Sequence, residues 1–435
     1  MPHDFSQLEP DRSWAFAWCS SRETGYITHC YHRYPAKFIP QVAARLIQEH
    51  SEPGAVVLDP FMGSGTTVVE ALVAGRRARG TDVNPAALIA SRAKVSAISP
   101  TTLRAALQDF DDRIAWLGDE SRGKSLFPLP EPLLPDNEER LDWWFPKTQQ
   151  RSLGIILAAI ESAANPAVRH FLRCAFSHCL KSASYWLMKS SKPTRDKRKL
   201  ARGVRNVLPT LRRHLAKMER ANADFWRLLP QASKSRRKAV VDLRIGDARR
   251  LPWRPETVDL VVTSPPYVTS YEYADLHQLT SLWLGHLDGL EVDKQRFIGS
   301  AAARRGAEAQ ANSPTAARIV TRLAERSTSK ADEVRQYFLD IEAAFAQMHR
   351  VLRPGGAVCN VIGNTSLIRV KILNAEVHAE ILESLGFEIA QVIRRIIPLK
   401  TLPQIRDPKT GKFTSATRGT VQAYPEEFIL IARKN

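Results

Sequence analysis

The chain has 435 residues, of which 44% are hydrophobic, and a formal net charge of +18. That length suits one large elaborated domain or two, and no apolar run is long enough to span a membrane. The N-terminus MPHDFSQLEP lacks the basic-then-apolar pattern of a signal peptide, and five unevenly spaced cysteines fit reduced thiols, so the expected location is the cytoplasm.

Residues 55–61, AVVLDPF, read as a buried strand. The turn FMGSGTT follows, then a helix through VVEALVAG closed by Gly75. RRARGTDVN (76–84) reads as a second strand, and PAALIASRAKVSA as a helix with Pro85 in its first turn. This β-α-β-α run opens a parallel, doubly wound α/β sheet. The alternation then breaks off for about 150 residues, far beyond an ordinary connection. Residues 101–142 are acidic and punctuated by proline. Residues 150–190 carry apolar side chains at helical spacing, and 208–229 form an amphipathic helix. SKPTRDKRKLARGVRN (191–206) is too polar for a core and reads as a loop or surface helix. From Lys147 to Lys238 there are 22 Lys and Arg against four acids, a surplus equal to the net charge of the whole chain. So large a local bias points to a polyanion partner.

The sheet resumes with AVVDLRIGDA (239–248) and DLVVTSPPY (259–267). Residues 331–352 show a helical apolar stripe stopped by RPGG; GAVCNVIG is a strand and AEVHAEILESLG a helix. FEIAQVIRRIIP (387–398) and EEFILIARK (426–434) are the last strands, joined by a Pro/Gly/Thr-rich loop. Residues 285–330 read as a polar loop or lobe. The expected division is a first half over 1–100, a mostly helical basic insertion over 101–238, and a second half over 239–435.

Gly63 and Gly65 sit in the turn after the first strand, where the absence of a Cβ lets backbone amides approach a ligand. Asp82 ends the second strand, the place from which an acid takes ribose hydroxyls. The third glycine of the dinucleotide fingerprint is missing and no Gly-Lys-Ser/Thr follows, so an adenosine without phosphates fits better. Asp247 is then placed to accept from the adenine amine. His29, Cys30, His32, Cys174, His178 and Cys179 match no standard zinc spacing, and no metal is expected.

DPFMGSGTT followed by TDVNP and TSPPY resembles the amino-group DNA methyltransferases, which act on cytosine N4 or adenine N6 with S-adenosylmethionine. RVLRPGGAV (350–358) also fits their pattern. The resemblance covers 29–98 and 239–434, and it implies a Rossmann-like sheet of seven strands with the last antiparallel. It implies that Asp59, Phe61, Gly63, Gly65, Thr66, Asp82 and Asp247 hold the cofactor. HCYHRYPAKFIPQVAARLI (29–47) resembles the family segment that closes over the methionine end, making Lys37 and Phe38 contacts. Within the resemblance, Ser264 and the carbonyl of Pro265 accept from the target amine, Pro266 stiffens the loop, and Tyr267 stacks on a base flipped out of double-stranded DNA. Ser rather than Asp or Asn before the prolines tilts the target toward cytosine N4. A C5 enzyme would need a cysteine nucleophile on this loop. Arg195, Lys197, Arg198, Lys199, Arg202 and Arg205 are the expected phosphate contacts. A restriction endonuclease is a partner such enzymes can have. A methyltransferase of structured RNA and a catalytically dead DNA-binding fold are the competing readings.

Overall fold

The computed structural model describes residues 3–34, 38–118, 132–190, 192–231, 234, 240–268, 272–285, 295–300, 309–397, 405–406, 413–414, 421–422 and 426–435. Its centre is one mixed sheet of seven strands: β1 (Val56–Asp59), β2 (Arg77–Asp82), β3 (Val241–Ile245), β4 (Val258–Thr263), β5 (Leu352–Ile362), β6 (Phe387–Ile396) and β7 (Glu426–Lys434). Their order is β3-β2-β1-β4-β5-β7-β6. The first five run parallel, and β7 inserts antiparallel between β5 and β6. The reversed strand thus lies one place in from the sheet edge. The strand order reverses between β1 and β4, and ligands of open α/β sheets bind beyond the carboxyl ends of the strands at such a switch.

Strands β1 and β4 are buried along nearly their whole length, as their continuous apolar runs require in a sheet covered on both faces. One face is packed by α1 (Pro40–His50) and α2 (Thr66–Val73), with Phe225 reaching in from the insertion. α3 (Pro85–Val95) begins where the Asn84 side chain accepts from the Ala86 N–H, with Pro85 in the first turn. The other face carries a long helix, Thr328–Val351, and the helix Asn374–Ser384.

The insertion is helical: α4 (Pro100–Gly118), α5 (Glu138–Trp144), α6 (Lys147–Glu161), α7 (Pro166–Ala183), α8 (Lys197–Arg202) and α9 (Leu208–Leu228). Its apolar faces form one cluster with Ala90 and Ala93 of α3 and with Leu279, Leu282 and Trp283 of α10 (Tyr273–Trp283). The helix that follows the SPPY loop is therefore seated on the insertion. Cys174 and Cys179 are buried in α7 within that core. One segment takes a form its composition did not single out, and a second differs from the sequence expectation. The acidic stretch after residue 100 opens with the 19-residue α4, because Leu103, Phe110 and Ile114 recur on one buried face. Within 285–330, α11 (Pro314–Ala324) is an amphipathic helix, capped by the Ser313 side chain, that buries Ile319, Val320 and Leu323 against the helix after it. Most of the loop before β7 lies outside the described residues, and no helix among the described residues is long and apolar enough to cross a membrane.

Candidate active site

The carboxyl ends of β1, β2, β3 and β4 meet at a cleft of about 790 Å³, its solvent mouth included. Asp59, Phe61, Gly63 and Thr66 line it from the first turn, Asp82 from the second strand, Asp247 from the third, and Ser264 and Pro266 from the fourth. Residues from both halves of the chain thus share one wall system.

The turn after β1 is bent by glycine. Gly63 and Gly65 have φ of +47° and +81°, in the left-handed region, and a Cβ on Gly63 would meet the Tyr34 ring at 3.1 Å. Gly65 caps α2 without itself lining the cleft. Asp82 fixes the turn: its Oδ2 accepts from the Gly63 N–H at 2.8 Å and its Oδ1 from the Asn84 N–H at 2.9 Å. Desolvation at the cleft pushes Asp82 up to about 6, against the pull of those two N–H groups. Asp59 accepts at Oδ1 from Thr263 Oγ1 at 2.7 Å and from the Phe61 N–H at 3.1 Å. Burial lifts it to about 7, with the hydrogen bonds of Thr263 and Thr67 opposing. Thr67 Oγ1 also donates to the Val262 carbonyl at 3.0 Å, which ties the first turn of α2 to the strand that ends in SPPY.

Asp247 sits on the cleft wall, and Arg249 grips it: Nε lies 3.0 Å from Oδ1 and Nη2 2.6 Å from Oδ2. Arg249 in turn reaches Asp340 at 2.9 Å, and these two carboxylates hold its pKa above the ordinary arginine value against the cost of burial. The acid expected to meet an adenine amine is thus a fixed acceptor rather than a free one. Phe38 lines the cleft; Lys37 lies outside the described residues. Pro265 and Tyr267 do not line it. The Tyr267 ring instead rests on Gly363, its Cε2 3.1 Å from where a Cβ would stand, beside the cluster of Phe5, Ile362 and Phe428.

Aromatic rings that sequence reasoning gave little weight complete the wall. Tyr34 stacks on His277 with centroids 4.7 Å apart and on Tyr273 at 6.1 Å, and Tyr273 stacks on Phe297 at 6.4 Å. Tyr34, Tyr273, Phe297 and Arg296 all line the cleft. The available signals were the YEYADLH run just after SPPY and the short RFIGS segment. His277 is held neutral, its pKa pulled down to about 4 by burial. Among the described residues, no group of three or more His, Cys, Asp or Glu side chains is placed to hold a metal.

The basic residues expected on α8 divide. Lys197, Arg198, Arg202 and Arg205 are exposed. Lys199 is spent inside the fold, its ammonium donating to the carbonyls of Ser184 at 2.7 Å, Trp186 at 2.9 Å and Lys181 at 3.3 Å. Arg195 lies 4.3 Å over the ring of Trp143, which is 56% exposed.

Residues 5–91 match the family model described as "DNA methylase" for N6 and N4 enzymes. The chain is 28% identical over 409 residues to the Type II methyltransferase M.MvaI of Kocuria varians, covering 88% of this chain and 87% of that protein. Both matches are to amino-group DNA methyltransferases, the family that the motifs of this chain resemble. A second relative, the Type II methyltransferase M.MjaII of Methanocaldococcus jannaschii, is 33% identical over 121 residues, 27% of this chain and 23% of the relative. Among solved structures, a putative DNA modification methylase from Thermus thermophilus, complexed with S-adenosyl-L-methionine, is 18% identical over 43% of this chain and 51% of its own, with a TM-score of 0.21. In this chain the glycine turn and the SPPY loop border one cleft, through Gly63, Ser264 and Pro266.

Proposed function

We propose that this protein is an amino-group DNA methyltransferase that transfers a methyl group from S-adenosylmethionine to the exocyclic N4 of cytosine in double-stranded DNA. The observation that carries the reading is the single cleft shared by Gly63, Asp82, Asp247 and Ser264. The residues fit that cosubstrate: the turn is glycine where a side chain would strike Tyr34, and the carboxylates of Asp59, Asp82 and Asp247 offer acceptors for hydroxyls, an amine and positive charge. When bound, S-adenosylmethionine supplies a methyl group already activated on a sulfonium.

An exocyclic amine is a poor nucleophile because its lone pair delocalises into the ring. Ser264 Oγ and the Pro265 carbonyl accept from the amine N–H groups, turn the lone pair out of the ring, and disperse the positive charge that develops on nitrogen. The two prolines hold those acceptors in place before the base arrives. The base is flipped out of the duplex; Tyr267, whose ring rests on Gly363 beside the cleft, is the proposed stacking residue, and Tyr273 is an aromatic ring on the cleft wall itself. No strong base is needed in advance, since the proton leaves after the methyl is transferred. Arg195, Lys197, Arg198, Arg202 and Arg205 position the duplex through its phosphates without reading sequence.

Incubation with tritiated S-adenosylmethionine and either duplex DNA or structured RNA tests the polymer. Label in DNA alone is expected; label in RNA alone overturns the reading. Calorimetry with unlabelled cosubstrate separates an active enzyme from a dead fold that still binds DNA.

A further inference from the structure

Behind the SPPY loop lies a buried polar chain that the transfer reaction does not itself require. Tyr337, on the long helix α12 (Thr328–Val351), donates its hydroxyl to the Pro266 carbonyl at 3.0 Å. The same oxygen lies 3.4 Å from Nε2 of His378, on α13 (Asn374–Ser384). His378 Nδ1 lies 3.0 Å from Nδ2 of Asn360 on β5, and Asn360 is the register partner of Thr263 in β4, one residue before Ser264. Tyr337, His378 and Asn360 are all at most 1% exposed.

Three buried polar side chains in an apolar helix-sheet interface are costly unless each is satisfied. Their geometry permits one consistent set of donors. The Asn360 amide nitrogen donates to His378 Nδ1, so the ring proton sits on Nε2. Nε2–H then points at Tyr337 Oη, and the Tyr337 hydroxyl is free to donate only forward, to Pro266. Burial keeps His378 neutral, its pKa pulled down to about 3, so the ring carries one proton and the direction is fixed. With that carbonyl occupied, the loop cannot roll about the Pro265–Pro266 segment without breaking a buried hydrogen bond. The loop is held from the other side as well: Gly299 has φ +78°, and a Cβ there would lie 3.3 Å from the Tyr267 carbonyl and 3.4 Å from the Tyr337 ring.

We propose that Tyr337, His378 and Asn360 form a one-way hydrogen-bond chain that positions the SPPY loop by holding the Pro266 carbonyl, leaving the neighbouring Pro265 carbonyl and Ser264 to meet the target amine. They are positioning residues, and their role rests on the assignment of SPPY as the catalytic loop. Tyr337→Phe removes one hydroxyl and keeps the packing. Since a misplacement of about 1 Å costs on the order of a hundredfold in rate, its kcat is expected to fall by roughly tenfold or more, with the calorimetric Kd for S-adenosylmethionine within about twofold of the parent. A kcat within about twofold of the parent overturns the proposal, and so does a matching loss of cosubstrate affinity, which would mark a general structural defect. His378→Gln retains an N–H where Nε2 stood and is expected to keep more kcat than His378→Leu; equal losses overturn the directed chain. Ser264→Ala is run alongside. If it too leaves kcat intact, the catalytic assignment of the loop has failed; if only Tyr337→Phe is silent, the positioning chain alone has failed.

Discussion

Asp82→Asn isolates the contact that shapes the glycine turn, the proposed seat of S-adenosylmethionine. In the native protein each carboxylate oxygen accepts one backbone N–H, from Gly63 at 2.8 Å and from Asn84 at 2.9 Å. Asparagine keeps one acceptor and turns an NH2 toward the other N–H. With its oxygen on Asn84, the Gly63 N–H is left without its charged acceptor, at a cost of about 1.5–3 kcal/mol. The turn must regain its shape to bind, and about 1.4 kcal/mol corresponds to a decade in Kd, so S-adenosylmethionine should bind roughly tenfold to a hundredfold more weakly. Isothermal calorimetry measures this directly. The native protein should show the same weakening as pH falls through about 6, where Asp82 takes up a proton. The variant lacks that group, so its loss of affinity around pH 6 should be shallower than the native one, leaving the contribution of Asp59, raised to about 7 in the same cleft. A Kd within about threefold of the native value, or an equally steep pH dependence in the variant, would refute the reasoning.

Ser264→Ala is expected to lower kcat at least about tenfold by removing one acceptor for the amine, with cosubstrate affinity unchanged; turnover near the native rate would remove Ser264 from catalysis. Tyr267→Ala should likewise depress turnover more than cosubstrate affinity, and a native rate would exclude the stacking role. Glutamate at Arg198, Arg202 and Arg205 should weaken DNA binding and flatten its salt dependence by about one unit of slope per lost phosphate contact; an unchanged slope would place the duplex elsewhere. Glu70 is buried, with Tyr26 Oη and His29 Nε2 both 2.6 Å from its Oε1, and burial raises it from 4.5 to about 8. Its pKa is higher folded than unfolded, so its contribution to stability is complete below pH 4.5 and is lost as pH rises through about 8. Glu70→Gln should therefore flatten the fall in melting temperature between pH 4.5 and about 8; an unchanged slope would mean that the pair with His29 is already ionised.

The first two strand-helix units were legible because strand, glycine turn, helix and terminal Asp82 are adjacent in sequence, and each obeys a local rule. β4 and SPPY were legible for the same reason: a short apolar run ended by two prolines admits few readings. What the sequence could not show is what depends on partners distant in the chain. Asp247 looked like a free acceptor until folding brought Arg249 and Asp340 around it. Lys199 looked like its exposed neighbours, yet it alone faces the carbonyls at the end of α7. The aromatic wall of Tyr34, Tyr273 and Phe297 is drawn from three segments that meet only in the folded chain. The α11 helix was hidden by its many small and polar residues, since its apolar face is narrow and acquires meaning only against the helix beside it.

The identity of the base that the protein modifies is the most direct test of the proposed reaction. Duplex DNA treated with the protein and S-adenosylmethionine, digested to nucleosides and resolved by mass spectrometry, should yield N4-methylcytosine, formed at least about tenfold more slowly when Ser264→Ala replaces the native protein. N6-methyladenine in its place would move the target while keeping the loop chemistry. C5-methylcytosine, formed without any cysteine on the SPPY loop, would contradict the account.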